Sequence, residues 1–412
     1  MNTHKTKRCL LLYVAMMFCL IAGLSLVSGK KVKADVTDDG FEYEESDGNI
    51  TITKYTGDNT DVAVPSEIDG MPVTTIGHSA FFNCSGLTGV TIPNSVTRIE
   101  GFAFYGCTGL TGIIIPEGVT EIFAGVFKNC VNLENVEIPG SLQSIKQTYW
   151  DNAYDSWFDG CTNLKKILIR DGVESVFVPG LSGQKISSET VIILPDSVSN
   201  LVAWGGTYYC NRGSYVAEYC EQNDIPYVEN PFGDVKLDKY YTLPVLWAYS
   251  SDPQITTGTS DTTFEPRAIC NRAQVVTFLW RMMGCPEPKT KNNPFKDVKK
   301  SHYYYKAVLW AVENNITTGK YPDRFAPKDS CNRAEFVTFL WRAAGSPAPQ
   351  EGNNPFVDVK AGKYYRDAVL WASENHITTG TDATHFSPKS NVSRDQAVTF
   401  LYRSKDVVKI QK

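Results

Sequence analysis

Histidine is scarce in this chain, and the few that occur form no recognisable catalytic set. Five histidines are scattered over 412 residues, and none stands in a metal-binding or triad motif. The sequence also has no Gly-x-Ser-x-Gly motif, no phosphate-binding loop and no Cys-x-x-Cys pair of the kind that binds zinc. It therefore predicts a protein that is not an enzyme and that uses neither a metal nor a cofactor.

Basic charge and long apolar runs are also limited. The net charge of −5 argues against a nucleic-acid partner, which would want a clearly basic domain. The uncharged run from Leu10 to Val27 follows three basic residues and precedes a small residue, Ala34. Residues 1–34 are thus typical of a secretory signal peptide, with an uncleaved membrane anchor as the alternative. No other run could cross a membrane, so the mature protein is expected to be exported and not integral to a membrane.

Residues between about 60 and 200 repeat with a period of 23. Cys84, Cys107 and Cys130 are spaced by 23, and a leucine and an Ile-Pro pair recur with each of them. A fourth unit, at Cys161, is displaced by an insertion of eight residues. Alternation in Val-x-Ile places both side chains on one face of a strand, and a single coil cannot bury that face alone. The pattern predicts stacked coils, each with one short strand and one turn.

This repeat resembles the BspA-like leucine-rich repeat family, which is often found on microbial surfaces. The resemblance covers about 60–228 and implies a β-solenoid of short parallel strands as the domain 35–230. Because the repeated cysteines share one inward position, they are predicted to be small core residues rather than disulfide partners. Cys210 and Cys220 could pair, and the sequence leaves that open.

After Pro231 the period changes to about 61. Each unit opens with Pro-Phe-x-Asp-Val and a Tyr-Tyr pair, followed by a helix, Ile-Thr-Thr-Gly, Phe-x-Pro and a second helix. The recurring arginines and glycines are Arg272, Arg333 and Arg394, and Gly258, Gly319 and Gly380.

These units, at 231–290, 291–351 and 352–412, resemble S-layer homology (SLH) domains, of which three in tandem are the usual set. The resemblance covers about 231–404 and implies an all-α bundle with pseudo-threefold symmetry. In the family, grooves between the units hold a secondary cell-wall polysaccharide that often carries pyruvate. The resemblance therefore implies a multidomain, secreted protein tethered without a covalent bond to the wall of a Gram-positive type of bacterium.

The family's Thr-Arg-Ala-Glu motif falls here at 271–274, 332–335 and 393–396. Asn and Ser replace Thr because all three cap helices, and Gln or Glu three residues later completes a capping box. Capping does not explain the arginine, since a cation opposes the helix dipole at this end. An anion such as a pyruvyl carboxylate, bound between the arginine and the helix start, would explain it. A structural arginine that bridges to the neighbouring unit is the alternative, and the negative charge of Asp395 weakens the case for a groove at Arg394.

Two other features are candidate binding elements. The glycine of each Ile-Thr-Thr-Gly segment fits a turn that needs positive φ, or else close approach of the sugar to the loop. The insertion at about 147–154 carries Tyr149, Trp150 and Tyr154. Exposed aromatic residues on a loop are candidate contacts for a protein or glycan, and local cover of the solenoid is the alternative.

The charge is divided between regions. Residues 35–230 contain 9 basic and 27 acidic residues, whereas residues 231–412 contain 25 basic and 18 acidic residues. A basic tether suits an anionic wall polymer, which would repel an acidic array. The leading hypothesis is an adhesin or interaction protein whose SLH units bind the wall and whose repeats bind an unknown protein or glycan. The alternative is a structural S-layer component whose repeats self-associate, and an enzyme subunit anchored by the tether is a weaker third hypothesis.

Overall fold

The computed structural model describes residues 33–142, 144–145, 156–177, 186–203, 205–350 and 354–408. The chain divides into two compact units, residues 1–165 with 177–187, and residues 166–176 with 188–412. This division lies inside the repeat array, whereas the boundary predicted at residue 230 marks a change of repeat. The predicted signal peptide lies outside the described residues except for Lys33 and Ala34, which belong to the first strand.

An antiparallel hairpin caps the start of the first unit. Strand β1 (Lys33–Val36) pairs with β2 (Phe41–Ser46), which pairs with β3 (Asn49–Tyr55). Asp47 and Gly48 join β2 to β3 with φ angles of 54° and 74°, and Asp-Gly favours this kind of two-residue turn. Strand β3 then pairs in parallel with β6 (Met71–Ile76), a strand of the solenoid, so the hairpin covers an edge of that sheet that would otherwise be free.

The coils of the first unit each contain two short strands rather than the single strand predicted. One series consists of β4 (Asp61–Ala63), β7 (Gly89–Thr91), β9 (Gly112–Ile114) and β11 (Asn135–Ile138). The other consists of β6 (Met71–Ile76), β8 (Arg98–Ile99), β10 (Glu121–Ile122) and β12 (Ser144–Ile145). Two further elements lie outside these series: β5 (Glu67–Ile68), which is antiparallel to β6, and a 3₁₀ turn at Gly140–Leu142. The second series forms because the Val-x-x-Ile after each proline also points inward; Val96 and Ile99 are fully buried.

Aromatic rings and thiols stack along the solenoid core. Phe81, Phe104, Phe127 and Phe158 lie in one column, with successive ring centroids 5.0, 5.8 and 5.9 Å apart. The Sγ atoms of Cys107, Cys130 and Cys161 each donate a hydrogen bond to the carbonyl oxygen of the phenylalanine one coil earlier, at 3.0–3.1 Å. The repeated cysteines are free thiols in or beside the core, which confirms the prediction that they are packing residues.

The second unit begins with the last coils of the array. Strands β13 (Lys166–Ile169), β15 (Ile186–Ile193), β17 (Gly205–Asn211) and β18 (Tyr227–Asn230) follow one another in a sheet, and β14 (Ser175–Phe177) lies beside β16 (Asn200–Val202). Helix α1 (Tyr215–Gln222) packs on this end. The sequence also offers the segment 225–228 as a strand that closes the array, and β18 overlaps it at Tyr227 and Val228. Cys210 and Cys220 are buried free thiols.

The rest of the second unit is helical. Each 61-residue repeat contributes two helices: α2 (Thr242–Ser250) and α3 (Arg272–Met282), α4 (Tyr305–Glu313) and α5 (Arg333–Ala343), and α6 (Arg366–Glu374) and α7 (Arg394–Ser404). Their buried faces form one hydrophobic core. No helix in the part of the chain that the structure describes is both long and apolar enough to cross a membrane.

Three backbone hydrogen bonds join the helical repeats in a closed cycle. The amide of Cys270 donates to the carbonyl of Val392 at 2.9 Å, that of Val392 donates to Cys331 at 2.9 Å, and that of Cys331 donates to Cys270 at 3.0 Å. Each of these three fully buried residues lies two positions before the motif arginine that begins the second helix of its repeat. Each repeat therefore contacts both others at the start of its second helix.

Candidate functional site

Two of the three motif helices begin with the predicted capping box. The side chain of Asn271 accepts from the amide of Gln274, whose side chain accepts from the amide of Asn271, both at 2.9 Å. Asn332 and Glu335 make the same reciprocal pair.

The prediction of a capping box is wrong for the third motif helix. Ser393 makes no capping bond, because its hydroxyl donates to the carboxylate of Asp395 instead. That carboxylate accepts from the amide of Gln396 at 2.8 Å.

The motif arginines are buried at the contacts between successive repeats. Arg272, Arg333 and Arg394 are only 2–3% exposed. Their Nε atoms donate to the carbonyl oxygens of Phe325, Phe386 and Phe264 in the next repeat of the cycle, at 3.0, 2.8 and 2.7 Å. Each guanidinium also lies over two phenylalanine rings of that repeat, which adds cation–π attraction. This is the bridging geometry of the structural alternative, and an anion contact by the arginines stays a prediction.

Burial perturbs two of these arginines. Removal from water lowers the pKa of Arg333 to about 10, and it also lowers the pKa of Arg394. Nearby acidic and polar groups raise both pKa values, but by less than burial lowers them. Desolvation of this kind disfavours the charged form of a base. Arg272 has an acidic partner, because its Nη1 donates to Oε1 of Glu335 at 2.8 Å.

Asp395 faces the first helical repeat rather than the guanidinium of Arg394. Its Oδ2 accepts from the hydroxyl of Tyr240 at 2.9 Å and from Nη1 of Arg267 at 3.0 Å, and its side chain is fully buried. Desolvation and the neighbouring carboxylate raise the pKa of Tyr240. Tyr240 and Arg267 were not among the candidate residues predicted from the sequence, although the Tyr-Tyr pair recurs in every repeat.

The three repeated glycines occupy tight turns with positive φ. Their φ angles are 83° at Gly258, 90° at Gly319 and 88° at Gly380. A Cβ atom would lie 2.5–2.7 Å from the ring of the phenylalanine that opens each repeat. Each glycine amide donates to the threonine hydroxyl two residues earlier, at 3.1–3.2 Å. These contacts favour the turn interpretation, and sugar binding at the glycines stays a prediction.

The remaining candidate residues give no site geometry. Tyr149, Trp150 and Tyr154 lie outside the described residues. Within the described ranges, no group of three or more His, Cys, Asp or Glu side chains could hold a metal ion.

Comparison with known families assigns most of the repeats. Residues 74–202 match the BspA type leucine-rich repeat region in six copies, and residues 294–337 and 355–398 match the S-layer homology domain. The chain carries a BspA-type leucine-rich repeat region and two SLH domains. Repeat 231–290 lies outside these matches, although it shares the helix pair, the glycine turn and the buried arginine of the two SLH domains.

Similar proteins share parts of this chain. An endoglucanase of Bacillus sp. (strain KSM-635) is 32% identical over 40% of this chain and 18% of its own length. The surface-layer 125 kDa protein of Lysinibacillus sphaericus is 35% identical over 25% of this chain and 9% of its own. The cellulosome-anchoring protein of Acetivibrio thermocellus is 29% identical over 34% of this chain and 33% of its own. The chain thus spans less than a fifth of the first two and a third of the last.

Proposed function

We propose that this chain is an exported protein of the cell surface, held without a covalent bond to an anionic cell-wall polysaccharide. Three SLH units form the tether, with residues 231–290 as the first. The leucine-rich repeats are displayed for binding a protein or glycan. Neither region supplies catalytic residues in this proposal, and the endoglucanase is related through a shared binding part.

The closed cycle of three helical repeats carries this proposal. All three repeats place a motif arginine at the first turn of a helix, against the carbonyl of a phenylalanine in the next repeat. The first repeat thus takes the same part in the cycle as the two matched SLH domains, which supports counting it as a third. Relatives named as surface-layer and cellulosome-anchoring proteins support a location at the wall.

Purified cell walls test the tether directly. We expect the full chain to sediment with walls of a Gram-positive type, and to stay in solution once the non-peptidoglycan polysaccharide has been extracted from them. Stripped walls have lost the proposed ligand but keep the peptidoglycan mesh, so they are the matched control. Equal sedimentation with both preparations would contradict a polysaccharide tether.

The structural alternative makes a different prediction for the repeats. A self-associating S-layer component should form oligomers as the concentration of the full chain is raised, whereas an adhesin should stay monomeric and retain a partner from host matrix or microbial extracts. Sedimentation equilibrium and a pull-down with the same preparation separate these two outcomes. Oligomers with no retained partner would favour the structural role.

A further inference from the structure

Four aromatic rings lie together on the surface of the solenoid, outside the column of phenylalanines in its core. They belong to the turns that follow β6 and β8, and they are His78, Phe82, Phe102 and Tyr105. The rings of Phe82 and Tyr105 are stacked, with centroids 4.8 Å apart and planes 8° apart. Phe102 contacts His78 and Tyr105 edge-on, at centroid distances of 5.8 and 6.0 Å. These four residues, called the aromatic patch below, thus form one continuous surface over two coils.

Phe82 presents an open ring that is supported from one side. Its side chain is 48% exposed, although Tyr105 covers one face of the ring. The exposed area must therefore belong to the other face and to the ring edge. The hydroxyl of Tyr105 accepts a hydrogen bond from Nδ2 of Asn129 at 2.8 Å, which fixes the ring that supports Phe82. The result is a flat apolar surface that is held in place and still open to a ligand.

Phe102 has a backbone conformation that is unfavourable for its side chain. Its φ angle is 57°, in the left-handed region that residues with a Cβ atom avoid and that is an outlier for a bulky residue. The equivalent residues of the adjacent coils, Ser79 and Gly125, have φ angles of 60° and 66°, so the turn itself needs this geometry. Phe102 is partly exposed, so packing in the core does not explain why phenylalanine stands there. A strained residue at a surface is an indication of a binding role.

Polar groups border the aromatic patch. Asn83 is exposed, and its side chain lies over Gly106, where a Cβ atom would be 2.1 Å from Oδ1 of Asn83. His78 is also exposed, and its backbone amide donates to Oε2 of Glu100 at 3.0 Å. Amide and imidazole groups can donate to and accept from hydroxyl groups. An apolar ring bordered by such groups matches a sugar, which has C–H groups on its face and hydroxyl groups around its rim.

The size and the charge of this surface favour a neutral glycan over a protein or an anionic polymer. Neighbouring coils are about 4.8 Å apart, so a patch on two coils has the length of one or two sugar rings. A stable protein interface buries about 800 Å² on each partner, which is more than four side chains, two of them partly buried, can provide. Residues 35–230 contain 27 acidic and 9 basic residues, so this region would repel an anionic polymer.

We propose that the aromatic patch binds a neutral β-glucan, with one sugar ring stacked on the free face of Phe82 and its hydroxyl groups bonded by His78 and Asn83. In β-linked glucose the hydroxyl groups are equatorial, so C–H groups on both faces can contact the negative face of an aromatic ring. Phe102 extends the patch toward a second sugar. This inference rests on the proposed function, because it names the class of ligand for the displayed repeats.

Binding of cellohexaose, a neutral oligomer of β-linked glucose, tests this site. Calorimetric titration of the full chain should show binding, and Phe82→Ala should weaken it about tenfold or more, because the stacked ring is lost. Ile114→Ala is the matched control, since Ile114 is an apolar side chain of the same solenoid that is 62% exposed on strand β9. It should bind cellohexaose as the wild type does. Absence of binding by the wild type, or equal binding by Phe82→Ala, would overturn the inference.

Phe102→Gly distinguishes a binding role from a structural one. The variant gives this turn the residue that the next coil has at Gly125, so removal of the backbone strain offsets the lost contacts of the ring. We expect an unfolding temperature no lower than that of the wild type, together with weaker binding of cellohexaose. A lower unfolding temperature with unchanged affinity would show that Phe102 serves only the fold, and would remove it from the site.

The outcomes also separate the glycan site from the tether. Sedimentation with purified walls should be the same for Phe82→Ala and the wild type. A wild-type chain that binds walls but not cellohexaose leaves the tether standing and overturns the glycan site, whereas binding of cellohexaose through Phe82 without binding to walls overturns the tether. If Phe82→Ala loses a protein partner and the wild type does not bind cellohexaose, the patch docks a protein and the inference is wrong.

Discussion

At each Ile-Thr-Thr-Gly turn, the glycine has no Cβ atom, so a phenylalanine ring and two backbone carbonyl oxygens can pack against its Cα atom. At Gly319 a Cβ atom would lie 2.5 Å from the ring of Phe295 and 2.9 Å from the carbonyl oxygens of Tyr321 and Arg324. The φ angle of 90° adds backbone strain for any other residue. The glycine is therefore required by the turn, whether or not a ligand approaches it.

Gly319→Ala should strongly destabilise the helical part of the chain. Left-handed backbone is unfavourable for alanine by about 1–2 kcal/mol, and overpacking adds roughly 1–3 kcal/mol. We expect a loss of about 3 kcal/mol in the free energy of unfolding, measured by urea denaturation and tryptophan fluorescence.

Gly345→Ala measures the cost of backbone strain separately from the cost of overpacking. Gly345 has a similar φ of 85°, and a Cβ atom there meets nothing within 4 Å, so only the backbone strain of about 1–2 kcal/mol applies. Equal losses for the two variants would show that the contacts around Gly319 contribute nothing.

Arg333 and Asp395 show which side-chain contacts could not be predicted from the sequence. The 61-residue spacing identified Arg333 and left two interpretations open, since its contacts with Phe386 and Phe400 come from another repeat. The charge of Asp395 was expected to act on Arg394, its neighbour in sequence, yet its hydrogen bonds reach Tyr240 and Arg267. Sequence distance is a poor guide to these partners because they are set by the closure of the cycle.

At the scale of the element, the contribution of a helix cap to the free energy of unfolding can be measured with single substitutions. Asn332→Ala should lower the free energy of unfolding by about 1 kcal/mol, the typical value for the loss of an N-cap side chain. The reason is that the amide of Glu335, now bonded to Asn332 at 2.8 Å, would lose its acceptor. Urea denaturation measures the difference.

Asn332→Ser is the matched control for the cap. Serine is about as good an N-cap as asparagine, so its free energy of unfolding should stay within about 0.5 kcal/mol of the wild type. A loss as large as that of the alanine variant would mean that Asn332 stabilises the structure by something other than capping.

Strands were predicted correctly where the pattern of neighbouring residues indicates them. The Val-x-Ile-Pro repeats identified one strand series, because alternation and proline are local signals. The closing strand predicted at 225–228 overlaps the observed strand Tyr227–Asn230 at two residues. The second series was missed because β8 and β10 are two residues long, too short to alternate visibly. The Asp47-Gly48 turn was a readable hairpin signal that lay before the repeats began.

At the scale of the whole molecule, the two regions of the chain carry net charges of opposite sign. Residues 35–230 are strongly acidic and residues 231–412 are basic. The long-range attraction between a basic tether and an anionic polymer weakens with salt, as the screening length falls from about 10 Å at 0.1 M to about 3 Å at 1 M. A carboxylate of the polymer bound by a buried motif arginine would be screened much less, because water and ions would not surround it.

Salt should therefore weaken wall binding without abolishing it. We expect the affinity of the full chain for native walls to fall about tenfold between 0.1 M and 1 M salt, because the long-range attraction is lost. At higher salt the affinity should stay constant, at the value that the buried contacts alone provide. Walls whose carboxyl groups have been reduced should bind weakly and show little dependence on salt, because they lack both contributions. An affinity for native walls that does not change with salt would show that the positive charge of residues 231–412 has no part in the tether.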